Sequence, residues 1–303
     1  MSMRKHIILS VLAICSVVTA TAQGTDALPF TAISRSPESS ALAGSDIASS
    51  DHTAWSAFRN AAALPFSGKT LDAGVSYQRW APSYDNSSHI NAGVAYKFTE
   101  RIGLSLGFAA QSAGSYSIVD DSGESTGTFR PVEMVGAVGF GVGLGQKFSL
   151  GINGLFALQK TAPDASYTGF SGNIMLMYRP IDILRITGGV ATLGNSITNA
   201  KLAQPAHAVA GVEVTPLPGL KADLSAQYYF SGQWAAAAGV QYDLFNVVYL
   251  RAGYRYASAA CVIPSHLALG LGVHFKGFRL EGSYITASQT LRNTFMIGLA
   301  FSI

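Results

Sequence analysis

The sequence predicts an all-β protein: a transmembrane antiparallel β-barrel of about fourteen strands whose lumen holds an N-terminal plug. Three observations predict it. The chain opens with an export leader, it is apolar without containing a membrane helix, and from about Leu71 to its last residue it alternates at period two.

The leader comes first. Arg4, Lys5 and His6 give a positive start, Ile7 to Val18 an apolar run, and Ala20-Thr21-Ala22 a small-residue cleavage site, so residues 1–22 read as a secretory signal peptide. A competing lipoprotein box, Leu12-Ala13-Ile14-Cys15, puts bulky Ile14 where a small residue is needed and would cut the apolar run in half. With cleavage after Ala22, Cys261 is the one cysteine left, and no intrachain disulfide can form.

Composition narrows the class. Hydrophobic residues make up 49% of the 303 and charged residues 12%, yet nowhere after the leader is there an apolar run of helical span; that would take about 20 residues. The most apolar stretch, Met134 to Gly145, is too short and too rich in glycine. The net charge of +3 is unclustered, which argues against a nucleic-acid partner.

Periodicity then decides between a soluble β-protein and a membrane barrel. Ile90, Ala92, Val94, Tyr96 and Phe98 alternate with Asn91, Gly93, Ala95 and Lys97; Leu267, Leu269, Leu271, Val273 and Phe275 alternate with small or polar residues. Such segments fall at 70–80, 88–98, 101–113, 129–142, 147–160, 170–179, 183–193, 206–215, 219–230, 234–243, 246–257, 265–276, 277–287 and 292–303. Their length suits tilted strands crossing a bilayer. Tight links such as Thr99-Glu100 and Lys276-Gly277 alternate with longer ones such as Gly114 to Thr128, the pattern of periplasmic turns and outside loops. Aromatic residues near the segment ends (Tyr77, Trp80, Tyr228, Trp234, Phe278) fit a headgroup-level girdle, with ordinary core packing as the other reading. The last strand carries its terminal aromatic at Phe301, followed by Ser302 and Ile303.

The domain organisation follows: 1–22 leader, 23–66 plug segment, 67–303 barrel. The plug is placed inside because residues 23–66 lack period two, and because glycine, alanine and serine crowd the non-lipid face of the strands and leave room there. Gly139-x-Gly141-x-Gly143 belongs to that small-residue face rather than to a phosphate loop. Charge is costly against lipid and tolerable in a paired or hydrated interior, so Lys97, Glu133, Arg185, Glu213, Lys221, Asp223, Arg251, Arg255, Arg279 and Glu281 are assigned to the lumen. They either pair with one another and the plug or line a solute path.

Catalysis is not expected. The histidines are scattered singly, the adjacent Asp51-His52 lies in the plug segment as an incidental polar pair, and no Cys/His spacing suggests a metal or other cofactor.

Within the plug segment, Ser34-Arg35 is followed by Leu42-Ala43-Gly44, by Asp51, and by Asn60-Ala61-Ala62-Ala63-Leu64 just before the first strand. This order resembles the opening of the FadL-like (OmpP1/FadL) outer-membrane barrels, and more closely their PorV/PorQ branch, with Ala61 in place of the usual proline and Ala43 in place of a glycine. The resemblance implies an outer-membrane location, a fourteen-stranded barrel and a lumen plug built on Ser34, Arg35, Leu42, Gly44, Asp51, Asn60, Ala61, Ala62 and Leu64. For the PorV/PorQ branch it implies a non-catalytic barrel embedded in outer-membrane lipid that binds protein partners, secretion machinery or secreted cargo, in type IX secretion or surface attachment. The polar, acidic loop with Asp120, Asp121 and Glu124 favours that branch. The alternative is FadL-like transport of long-chain fatty acids or other hydrophobic solutes.

Overall fold

A computed structural model describes residues 28–84, 86–120, 122–198, 204–245 and 247–303; the expected leader and its cleavage site lie outside the described residues. The strands are β1 (Leu71–Trp80), β2 (Ser87–Thr99), β3 (Ile102–Ser112), β4 (Tyr116–Val119), β5 (Ser125–Phe129), β6 (Val132–Leu144), β7 (Phe148–Ala162) and β8 (Ala165–Ile181). There follow β9 (Leu184–Ser196), β10 (His207–Leu217), β11 (Leu220–Tyr229), β12 (Trp234–Leu244), β13 (Val248–Ala257), β14 (His266–Phe275), β15 (Phe278–Thr286) and β16 (Thr294–Ser302). Fourteen of them pair antiparallel with their neighbours into one closed barrel, while β4 and β5 form a separate hairpin.

The seam is β1 against β16, in register from Asp72 opposite Ser302 to Arg79 opposite Phe295. Beyond it, the Ile303 carbonyl accepts from the amides of Thr70 and Leu71, and the Ile303 amide donates back to Leu71. Closure leaves no strand edge with unmet backbone groups, which is the condition for a sheet to sit in lipid.

The period-two pattern sorts side chains as a membrane barrel requires. Along β15, Phe278, Leu280 and Tyr284 stand on the outside, while Arg279, Glu281 and Ser283 are buried inside. Rings pair at the two rims: Phe148 stacks on Tyr178 at one, with centroids 4.3 Å apart, and Trp234 meets Tyr256 at the other, 5.1 Å apart. Such pairs place amphipathic rings at the membrane surface.

The connections at one rim are all short. Lys276 (φ 47°) and Gly277 (φ 85°) form a two-residue turn with both φ positive, which matches the twist of the strands it joins. A Cβ on Gly277 would lie 2.7 Å from the Ser302 carbonyl oxygen, so only glycine fits. At the other rim the expected alternation has two exceptions. β7 and β8 run on past the wall and join through Pro163-Asp164, and β11 and β12 join through Phe230–Gln233. The stretch expected as a loop at Gly114 to Thr128 contains the β4–β5 hairpin, whose residues pair from Tyr116 opposite Phe129 to Val119 opposite Ser125.

Residues 28–66 form short turns of helix instead of strands: 3-10 turns at Pro29–Ala32, Thr53–Phe58 and Ala61–Phe66, and α1 at Pro37–Ala41. They touch the inner face right around the ring. Leu42 lies on Gly253 of β13, Ala54 on Gly93 of β2, Ala61 on Gly141 of β6, Ala62 on Gly151 of β7 and Ile47 on Gly211 of β10. The segment therefore occupies the lumen, and the core of the molecule is the contact between it and the wall. At Gly151 and Gly253 the segment's backbone stands where a side chain would be. Gly151→Val is expected to destabilise the barrel by about 1–3 kcal/mol through overpacking, read as a lower temperature for the gel-mobility shift that marks barrel unfolding. Removing residues 294–303 is expected to abolish that folded, faster-migrating form altogether.

Candidate functional site

The lumenal segment is fixed by side chains that serve its own backbone. Ser36 starts α1, its Oγ accepting from the Ser39 amide at 3.3 Å, with Pro37 in the first turn where an N–H is not needed. Asn60 starts the last 3-10 turn, accepting from the Ala62 amide at 3.0 Å while its Nδ2 donates to the Ile47 carbonyl at 2.9 Å and to Thr187 Oγ1 of the wall at 3.2 Å. The wall supplies further partners. Asn153 Nδ2 donates to the carbonyls of Ser56 and Ala57, both at 2.9 Å, and its Oδ1 accepts from the Ala61 amide at 3.2 Å. Asn173 Nδ2 donates to the carbonyls of Phe58 and Arg59 at 3.3 and 3.1 Å.

The same Asn173 holds a distortion in the wall. Its Oδ1 accepts from the Thr192 amide at 2.9 Å, where Thr192 has φ 57° and β9 gains an extra residue against β8. A β-branched residue in the left-handed region is strained, and this one sits at the edge of the outer chamber described below.

The charged residues assigned to the lumen are buried or half-buried on the inner face. Arg279 pairs with Asp72 at 2.8 Å, and Arg251 with Glu281 at 2.7 Å and Glu38 at 3.8 Å. Arg185 pairs with Glu213, and Lys221 with Asp51 of the lumenal segment. Glu133 accepts from Gln159 at 2.5 Å, and Lys97 donates to the Ser67 carbonyl at 2.7 Å. Asp223 stands opposite Glu213 across β10 and β11. Asp51 thus binds a wall lysine, and His52 Nε2 lies 3.5 Å from Glu38.

Burial pushes the Glu38 carboxyl up to about 8 against the pull of Arg251. Burial, with the Arg279 and Arg251 guanidinium groups, holds His52 well below its ordinary value. Glu38, His52 and Glu281 bring potential metal-ligand atoms within 4.8 Å of one another, but Arg251 already lies on both carboxylates and supplies the cation.

The lumenal segment leaves a chamber on each side. The inner one, about 290 Å³, is lined by charged groups including Asp51, Lys221, Asp243 and Arg279. The outer one, about 130 Å³, lies towards the rim that carries the longer loops. Its lining mixes apolar side chains, Ile47, Phe58, Trp80, Met175, Val209 and Ile285, with the polar Arg35, His207, Gln227, Tyr229, Arg255 and His266. Such a chamber can hold one small molecule with apolar surface and a polar end.

The sequence matches no family profile and no curated relative. Solved structures do match. The Pseudomonas putida toluene transporter TodX superposes with a TM-score of 0.61 over 88% of this chain and 97% of its own, at 13% identity. A deletion mutant of TodX, described as a monoaromatic hydrocarbon channel, gives 0.60 over 88% and 97%, at 15% identity. A Pseudomonas aeruginosa FadL homologue gives 0.54 over 88% and 95%, at 12% identity. The fold is that of the FadL-type barrels. The likeness is one of fold, a closed barrel shared with a protein described as a toluene transporter and with a FadL homologue.

Of the motif residues, Arg35, Leu42, Asn60, Ala61, Ala62 and Leu64 are buried in the lumen; Ser34, Gly44 and Asp51 are half-buried. Sequence reasoning did not single out Asn153 or Asn173, placed Gln227 on an inner face without a role, counted Tyr229 with the aromatics near segment ends, and took His207 and His266 as isolated. Their inward phase within each strand was readable; their convergence was not. Asn153→Ala removes the wall's bonds to the Ser56 and Ala57 carbonyls and to the Ala61 amide, of which the Ser56 carbonyl retains the Arg59 amide. It is expected to cost about 2–4 kcal/mol and to make the bonds around Ser56 to Ala61 cleavable by protease in otherwise folded barrels.

Proposed function

We propose that this chain is an outer-membrane barrel that admits a small hydrophobic solute to its outer chamber and passes it inward when the segment 23–66, acting as a plug, shifts. The observation that carries the reading is the outer chamber itself: partly open, lined by both apolar and polar side chains, and bounded below by a segment held by hydrogen bonds rather than by the barrel's own sheet. The fold likeness to barrels described as a toluene transporter and a hydrocarbon channel supports it. The solute class is monoaromatic or similarly compact, because the chamber is of ring size; a long-chain fatty acid would need the plug displaced.

A second reading, partner binding of the PorV/PorQ kind in type IX secretion or surface attachment, draws on the outer rim. Tyr84, Val119 and Ile197 are large apolar side chains strongly exposed at that rim, Val119 on the β4–β5 hairpin and the others in the β1–β2 and β9–β10 connections. Exposed apolar groups of this kind mark protein contact sites.

Uptake of radiolabelled toluene into vesicles containing the purified barrel separates the two. The solute reading expects uptake several-fold above protein-free vesicles, and a fall to that baseline for Val209→Phe, which fills the chamber while the folded gel mobility is kept. Uptake at baseline with the unaltered protein, together with secretion subunits or surface proteins recovered with it in near-equal amount from native membranes, would replace it with the partner reading.

A further inference from the structure

The outer chamber is electrostatically unlike the rest of the lumen. A buried guanidinium normally has a carboxylate, because desolvating an unpaired charge is costly. Arg251, Arg279 and Arg185 obey this with Glu281, Asp72 and Glu213. Arg255 does not. It is 5% exposed, and its partners are all neutral: Gln227 Oε1 at 2.7 Å, Tyr229 Oη at 3.4 Å and the Ile263 carbonyl at 3.4 Å. No carboxylate lies within ion-pair distance of it among the described residues.

Arg35, on the same chamber, is 4% exposed and donates to the Phe30 carbonyl at 2.7 Å, and unlike Arg255 it has a carboxylate, Glu133, acting on it. Arg59 also lines the chamber, but Asp46 neutralises it at 2.9 Å.

Two histidines flank Arg255 in matching local settings. In Pro205-Ala206-His207 and Pro264-Ser265-His266, each at the start of a strand, the ring Nδ1 lies 2.9 and 2.8 Å from the carbonyl of the proline two residues earlier. A carbonyl can only accept, so Nδ1 carries the hydrogen in both, and Nε2 is left as an acceptor. The His207 ring also lies against Tyr229, with centroids 4.8 Å apart.

We propose that the outer chamber is a binding site for a compact aromatic monocarboxylate, its carboxylate on Arg255 and its ring against Phe58, Trp80 and Val209. The planar guanidinium matches a carboxylate fork to fork. The chamber, at about 130 Å³, is close in size to a cavity of about 150 Å³ that holds benzene. This rests on the solute reading above and narrows it from neutral hydrocarbon to a ring bearing one negative charge.

The test is calorimetric titration of the purified full-length barrel in detergent with benzoate and, separately, with toluene. Benzoate is expected to bind with near-unit stoichiometry. Arg255→Gln is expected to weaken it by roughly 10-fold or more, and Arg255→Lys, which keeps the charge and loses the fork, by less. Heat-dependent gel mobility shows whether each variant is folded. Toluene binding without benzoate binding would overturn this proposal and leave the solute reading standing. Binding of neither would overturn both. Benzoate bound equally well by folded Arg255→Gln would also overturn the proposal, placing the anion elsewhere.

Discussion

An irregular stretch of chain enclosed by a membrane barrel carries backbone amides and carbonyls that bulk water does not reach, and meeting them is the demand on which the rest of this structure depends. The wall meets it with short polar side chains, Asn153, Asn173, Ser149 and Ser76, each bonded to main-chain atoms of the lumenal segment. Amides suit the task because one side chain donates and accepts at once, as Asn153 does towards three residues. The glycines of the inner face serve the same end, since their missing side chains let the two backbones approach closely enough for those bonds to form.

The ion pairs add register to this attachment. Asp51 on Lys221, Glu38 on Arg251 and the Ala54 amide on Asp72 tie the segment to strands on more than one side of the ring. Buried pairs of this kind contribute little net stability, yet losing one partner leaves a charge stranded. They therefore define where the segment sits more than how strongly. The outer chamber is where this pairing stops, and Arg255 is left with neutral partners.

The barrel was legible in the sequence because period two is a local property: each strand states its two faces within its own few residues. Gly139 and Gly141 show how far that goes. Their place on the small inner face was readable, and the structure sets them against Ala61. The ten lumenal charges were readable too, by the cost of charge against lipid. The chamber was not. Arg255 belongs to β13, His207 to β10 and Phe58 to the lumenal segment, and what brings them together is the tilt of the wall and the path of the segment through it, which no short window records. The β4–β5 hairpin was missed for a different reason: its polar composition resembles a loop, and its β-branched residues at Ile118, Val119, Thr126 and Thr128 were the available signal.

The bond pattern at Ile303 bears on how the molecule is made. Ile303 extends the seam of β16 with the first strand, so the wall closes only when its first and last strands meet. The lumenal segment precedes that first strand in the chain and ends up surrounded by every strand that follows. The wall therefore encloses a stretch that comes before all of its strands, and the bore has the width that residues 28–66 and their small side chains fill.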